Sequence, residues 1–117
     1  MIHLEDQLTA ITRIGRALSD PTRCRILLAL LQAPRYPADL ADELGLTRAN
    51  VSNHLACLRG CGIVTPTPEG RQVRYELSSP ALTHALGDLM GVVLAVDEVD
   101  DCAPRRTGVA AVAGATR

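Results

Sequence analysis

Leu44-Gly45-Leu46-Thr47-Arg48-Ala49-Asn50-Val51-Ser52-Asn53-His54-Leu55-Ala56-Cys57-Leu58-Arg59-Gly60-Cys61 is the stretch whose reading decides the fold. Gly45 sits where a short helix must end, since glycine enters the left-handed region without a Cβ penalty. Thr47 then caps a new helix over roughly Arg48–Gly60. Two short helices joined by so tight a glycine turn form a helix-turn-helix. At about 100° per residue, Val51, Leu55 and Leu58 fall together and face the core. Ala49, Ser52, Asn53 and Ala56 fall on the other side, small and polar enough to enter a major groove. Arg48 stands at the end where reading helices meet base edges or phosphates. Thr47, Arg48, Ala49, Ser52 and Asn53 are therefore the candidate DNA contacts on this helix.

Upstream, three further helices are predicted. Leu4, Leu8, Ile11, Ile14 and Leu18 recur at helical spacing. Asp20-Pro21 reads as a cap followed by proline at the first helical position, opening a helix through Ile26, Leu27, Leu30 and Leu31 that stops before Pro34. Tyr36-Pro37 restarts the chain, and Leu40, Ala41 and Leu44 make the third helix. Downstream, Ile63–Thr67 and Arg71–Leu77 read as a β-hairpin around Pro68-Glu69-Gly70, with Pro66 making the first an edge strand. Arg71, Gln72 and Arg74 are its candidate DNA contacts.

Pro80 opens a last helix that carries Leu82, Leu86, Leu89, Met90, Val92, Val93, Leu94 and Val96. Its later turns are apolar nearly all round, which points to a dimer interface. Ala103–Arg117 lack usable periodicity and read as a disordered tail. The expected fold is mainly α with a small β-hairpin, in the order α-α-α-α-β-β-α. It is a homodimeric winged helix-turn-helix domain over residues 1–102, with a tail over 103–117.

Composition agrees with this architecture. The chain has 117 residues, 47% apolar, with no Phe or Trp and only two Tyr, so its core must be aliphatic. Net charge is −1, which by itself announces no nucleic-acid binder. From Leu46 to Ser78, however, Arg48, Arg59, Arg71 and Arg74 outnumber Glu69 and Glu76, while Asp97, Glu98, Asp100 and Asp101 crowd the late segment. A locally basic surface on a neutral protein suits double-stranded DNA. Met1–Asp20 lacks a basic start followed by an apolar run, and no apolar stretch reaches membrane-spanning length. A cytosolic protein is expected, with its cysteines reduced or metal-bound. No phosphate-cradling glycine loop and no nucleophile–base pair is present, which argues against an enzyme.

Cys57 and Cys61 lie about 40° apart on the fourth helix, with Cβ atoms about 5–6 Å apart. An unstrained disulfide needs about 3.5–4.5 Å, so the pair suits a large cation better. A third ligand must come from elsewhere, and Cys102 is the best candidate. Three thiolates favour soft ions, Cd(II) or Pb(II). Zn(II) would want a fourth ligand, from water or His54. Taken singly, each cysteine is as readily a small buried apolar residue. Cys24, alone beside Ile26, Leu27 and Leu28, reads as such a structural thiol.

Leu18-Ser19-Asp20-Pro21-Thr22-Arg23, Val51-Ser52-Asn53-His54-Leu55 with Leu58, and Gly70-Arg71-Gln72-Val73-Arg74-Tyr75 resemble the ArsR–SmtB family of metal-sensing repressors. The likeness covers about Arg13 to Cys102. Cys57, Cys61 and Cys102 resemble the thiol set of a cadmium- and lead-sensing branch of that family. The resemblance implies a three-thiolate site closed by Cys102 of the other protomer, and a repressor that leaves its operator when the metal binds. Departures narrow the options. The family's Cys-x-Cys at the third helix is replaced by Arg35-Tyr36-Pro37-Ala38-Asp39, Leu4 supplies no thiol, and His84 lacks the companions of the family's other site. Two alternatives keep the fold: a redox-reactive thiol switch, with Arg59 as a neighbouring cation, and a constitutive DNA-binding module with structural zinc.

Overall fold

The computed structural model describes residues 3–92 and 94. Its elements run α1 Leu4–Leu18, α2 Pro21–Gln32, α3 Pro37–Leu44, α4 Arg48–Gly60, β1 Val64–Glu69, β2 Gln72–Leu77 and α5 Pro80–Leu89. Each boundary has a local cause. The Asp20 carboxylate accepts the Arg23 backbone N–H at 2.9 Å, and the Thr47 hydroxyl accepts that of Asn50 at 3.0 Å. Ser79 does the same for Leu82 at 3.1 Å. Prolines open α2, α3 and α5, where the missing N–H has no helical partner to lose. Gly45 ends α3 in the left-handed conformation, φ +68°.

The core is aliphatic, as the composition requires. Ile26, Leu40, Val51, Leu55 and Leu58 are fully buried, and Ile63, Val64 and Leu86 extend the cluster to the wing and α5. Leucines of α2, α3 and α4 thus lock the helix-turn-helix into one body, and α1 and α5 pack around it. Arg23 closes the α1–α2 corner: its Nε donates to Ala17 O at 3.3 Å and Nη2 to Arg16 O at 2.9 Å. These carbonyls lie in the last turn of α1, so a single guanidinium reaches two of its terminal acceptors, Arg16 O being shared with Ser19.

β1 and β2 pair antiparallel, Val64 with Leu77 through Glu69 with Gln72. The turn is Gly70-Arg71 rather than the expected Pro68-Glu69-Gly70, because Pro68 and Glu69 pair within β1. Gly70, at φ +64°, supplies the positive φ that a two-residue hairpin turn asks of its first central residue. Pro66 faces Tyr75 and Pro68 faces Val73. Neither proline has an N–H for β2, so both stand at non-hydrogen-bonded positions. Tyr75 turns its backbone the other way, pairing with Arg35 in an isolated antiparallel bridge.

α5 is shorter than predicted. It ends at Leu89, with Met90 as its C-cap, and neither Val92 nor Leu94 is helical. Gly87 and Gly91 flank this end, and glycine costs a helix about 1 kcal/mol against alanine; β-branched Val92 and Val93 follow. An unbroken apolar helix to Val96 therefore does not form. Val93, Ala95–Cys102 and the 103–117 segment lie outside the described residues, so the domain limit at 102 and the disordered tail stay expectations.

Candidate nucleic-acid interface and thiol site

α4 presents the face that its sequence pattern predicts. Val51, Leu55 and Leu58 are buried, while Thr47, Arg48, Ala49, Ser52, Asn53 and Ala56 are all exposed. Among the described residues this candidate DNA face is thus small, polar and exposed, with Arg48 at the helix N-terminus. Arg25 stiffens the turn behind it, Nη2 donating to Leu44 O at 2.6 Å. Because Leu44 is the last residue of α3, this bond joins α2 to the end of the first helix of the motif. Sequence reasoning missed Arg25, since an arginine on an exposed helix face carries no local signal.

In the wing, Arg71 and Gln72 are exposed at the hairpin tip, where both are free to meet phosphates. Arg74 differs. Its Nε lies 3.2 Å from Glu69 Oε2, and the guanidinium is only partly exposed. The Tyr36 hydroxyl donates to the other Glu69 oxygen at 2.5 Å, and that bond, above all other causes, pushes the Tyr36 phenol up from its ordinary pKa. Sequence reasoning assigned neither Tyr36 nor Glu69 a part in the candidate site.

The two thiols of α4 stand at its C-terminal end. Cys57 is exposed and Cys61 half-buried, and the Cys61 N–H donates to Cys57 O at 3.1 Å. Cys61 is itself the helix C-cap. Only Gly62 and Ile63 separate it from β1, and Ile63 N–H returns to Leu58 O at 2.9 Å. Cys57 is thus open to solvent, while Cys61 is half-buried against the hydrophobic core. Among the described residues no three His, Cys, Asp or Glu side chains gather closely enough to hold a metal ion. A complete site built on this pair therefore needs a donor from outside them, and the expected third ligand, Cys102, lies there.

Cys24 is half-buried rather than fully buried, and its Sγ donates to Leu18 O at 3.1 Å. Burial, then the Asp20 carboxylate, pushes its thiol pKa up. That is the environment of a structural thiol. His54 is half-buried on α4 and His84 exposed on α5.

Several large apolar side chains are uncovered among the described residues. On α1, Leu4, Leu8 and Ile11 are 68%, 56% and 67% exposed, and Leu89, Met90, Val92 and Leu94 are exposed at and after the end of α5. Only Ile14, Ala17 and Leu18 of α1 reach the core. No helix of the described residues is long and apolar enough to cross a membrane.

A helix-turn-helix locked by a leucine core, with α4 exposed on one face and a β-hairpin wing, defines a winged-helix fold of the kind found in transcriptional regulators. Residues 20–65 match the bacterial regulatory protein family arsR. The chain is 59% identical to the HTH-type transcriptional regulator CmtR of Mycobacterium tuberculosis over 91% of its own length and 90% of that protein's. It belongs to the ArsR family. It is also 34% identical to a probable mercury resistance operon repressor of Streptomyces lividans, over 82% of this chain and 77% of the other. Among solved structures, the NMR structure of the cadmium metal-sensor CMTR from Mycobacterium tuberculosis superposes with a TM-score of 0.63 at 63% identity, covering 81% of this chain and 99% of that one. HlyU from Vibrio cholerae gives 0.68 at 29% identity, over 74% and 94%.

Proposed function

We propose that this regulator is a cytoplasmic, homodimeric repressor that binds double-stranded operator DNA and leaves it when a soft divalent cation, Cd(II) or Pb(II), occupies Cys57, Cys61 and Cys102. The observation that carries the reading is the placement of two cysteines, exposed Cys57 and half-buried Cys61, at the C-terminal end of α4, the helix proposed to read DNA. Whatever Cys57 and Cys61 hold jointly is held by the reading element itself, so occupancy and operator binding act on the same helix. The cadmium sensor among its structural neighbours supports the choice of ion, and so does the donor set, since thiolates prefer soft cations. Zn(II) would ask for a fourth donor, water or His54.

The uncovered leucines of α1 and the apolar residues after α5 supply the dimer surface. A two-fold dimer would place its two α4 helices in successive major grooves, with half-sites about one helical turn apart. Thr47, Arg48, Ala49, Ser52 and Asn53 would face the bases, and Arg71, Gln72 and Arg74 the backbone.

The test is a cadmium titration that follows thiolate-to-metal charge-transfer absorption and operator binding together. Wild type should lose operator as the absorption band grows. Cys102→Ser should bind operator normally and respond only at far higher cadmium. If that variant leaves operator at the wild-type concentration, the three-thiolate site is wrong. Release by oxidant in metal-free buffer would instead support a redox switch, and unfolding on chelation a structural zinc.

A further inference from the structure

The wing is tied to the helix-turn-helix by side chains that the functional reading does not use. Arg35 donates its N–H to Tyr75 O at 3.0 Å and accepts that of Tyr75 at 2.8 Å, so it lies beside β2 as a one-residue third strand. Paired residues point to one side of a sheet, and the side alternates along each strand. Tyr36 and Arg74, each one step from the Arg35–Tyr75 pair, therefore share the face opposite Tyr75. The pairing of Thr67 with Arg74 and Glu69 with Gln72 puts Glu69 on that face too. Neighbouring strands are about 4.8 Å apart, so a bridge between the outer two must pass over β2. The Tyr36–Glu69 hydrogen bond makes that crossing. It straps the hairpin down across the Arg74 stem.

The two ends of the strap differ in mobility. On one side Arg35 is held by Glu43 Oε1 at 3.0 Å and by Ala33 O at 2.8 Å, which anchors the α2–α3 connection to α3. On the other is a two-stranded hairpin, an element only marginally stable by itself. Arg74 Nε is buried, paired in charge with Glu69 at 3.2 Å but out of line for a hydrogen bond. Its terminal nitrogens have no hydrogen bond among the described residues. Glu69 thus pins the guanidinium by one edge and leaves the other for a further acceptor. An acidic side chain on a DNA-facing hairpin would repel phosphate, and here its charge is matched at once by Arg74.

We propose that Tyr36 and Glu69 are positioning residues for operator binding: their strap fixes the angle of the wing against the helix-turn-helix and aims the free edge of Arg74 at the sugar–phosphate backbone. The inference rests on the operator-binding reading above. Its physical content is preorganisation, because a wing already held in its bound pose loses less freedom on docking.

The test uses the full-length dimer and a duplex that the wild-type protein selects from a randomised pool. Operator affinity across a salt series is measured for wild type, Tyr36→Phe and Glu69→Met, with amide exchange of Arg35 and Tyr75 followed in the free proteins. Tyr36→Phe should bind about fivefold more weakly, the scale of one lost hydrogen bond, with an unchanged salt slope, since no phosphate contact is removed. Its Arg35 and Tyr75 amides should exchange faster. Glu69→Met, which leaves Tyr36 without its acceptor, should also bind more weakly, although it removes a negative charge. Affinity of Tyr36→Phe within about twofold of wild type, or tighter binding by Glu69→Met, overturns the proposal. Should Tyr36→Phe fail to fold, Glu69→Met decides. If wild type selects no duplex, the operator-binding reading fails, and unchanged exchange in Tyr36→Phe would separately overturn the strap.

Discussion

Cys61 closes the last turn of α4 by donating its backbone N–H to Cys57 O at 3.1 Å, so both cysteines belong to the hydrogen-bonded end of that helix. A ligand shared by their side chains would add a second link across the turn that already joins their backbones. It would also act with only Gly62 and Ile63 between it and β1.

Reciprocal linkage is the first expectation. If cadmium weakens operator binding by some factor, operator must weaken cadmium binding by the same factor. Titrating the free and the DNA-bound dimer should give equal ratios, typically about 5–150-fold. A ratio of one in either direction would remove the coupling.

Thiol reactivity should be ordered. Cys24 has its pKa raised by burial and by Asp20, so less of it is thiolate at neutral pH, and thiolate is the nucleophile. Mass-spectrometric mapping of alkylation should find Cys57 modified well before Cys24. Equal rates would contradict the environment described for Cys24.

The α2 cap gives a pH signature. The Arg23 backbone N–H holds the Asp20 carboxyl below its ordinary pKa of 3.8. A folded-state pKa below the unfolded one means that its contribution is present above about pH 4 and is lost as pH falls through the folded value. Asp20→Ala should cost about 1 kcal/mol at neutral pH. Asp20→Asn should keep most of the cap and lose its share of the acid dependence, as seen in denaturant midpoints from pH 7 to pH 3.

At Gly45 nothing lies within 4 Å of where a Cβ would stand, so only backbone conformation opposes a side chain. Gly45→Ala should destabilise by about 1–2 kcal/mol, the cost of the left-handed region for an L-residue. Gly45→Asn should cost less. Equal losses for both would indicate a steric origin instead.

Ile11, 67% exposed on α1, tests the dimer. Ile11→Arg should shift sedimentation toward monomer and weaken operator binding together, because each half-site then binds alone. A dimer of wild-type strength would place the interface elsewhere.

The helix-turn-helix was legible because its signals are local. Gly45, Thr47 and the Val51–Leu55–Leu58 stripe each act within one turn, and their predicted roles coincide with the structure. The end of α5 was misread because apolar content outweighed Gly87 and Gly91 in the reading, whereas helix propensity stops the helix at Leu89. The Tyr36–Glu69–Arg74 arrangement depends on a hydrogen bond across 33 positions of sequence, and no local pattern announces such a contact. Cys24 was expected to be buried and is only half so, because it sits near the start of α2, where the helix is still emerging from the corner closed by Arg23.

Pro66 and Pro68 carry a consequence for assembly. Both stand on β1, the outer edge of the sheet, and both lack the N–H that would point away from β2. An edge without those donors offers a poor template to a further strand. Two wings brought together in solution therefore have little backbone with which to zip into a shared sheet.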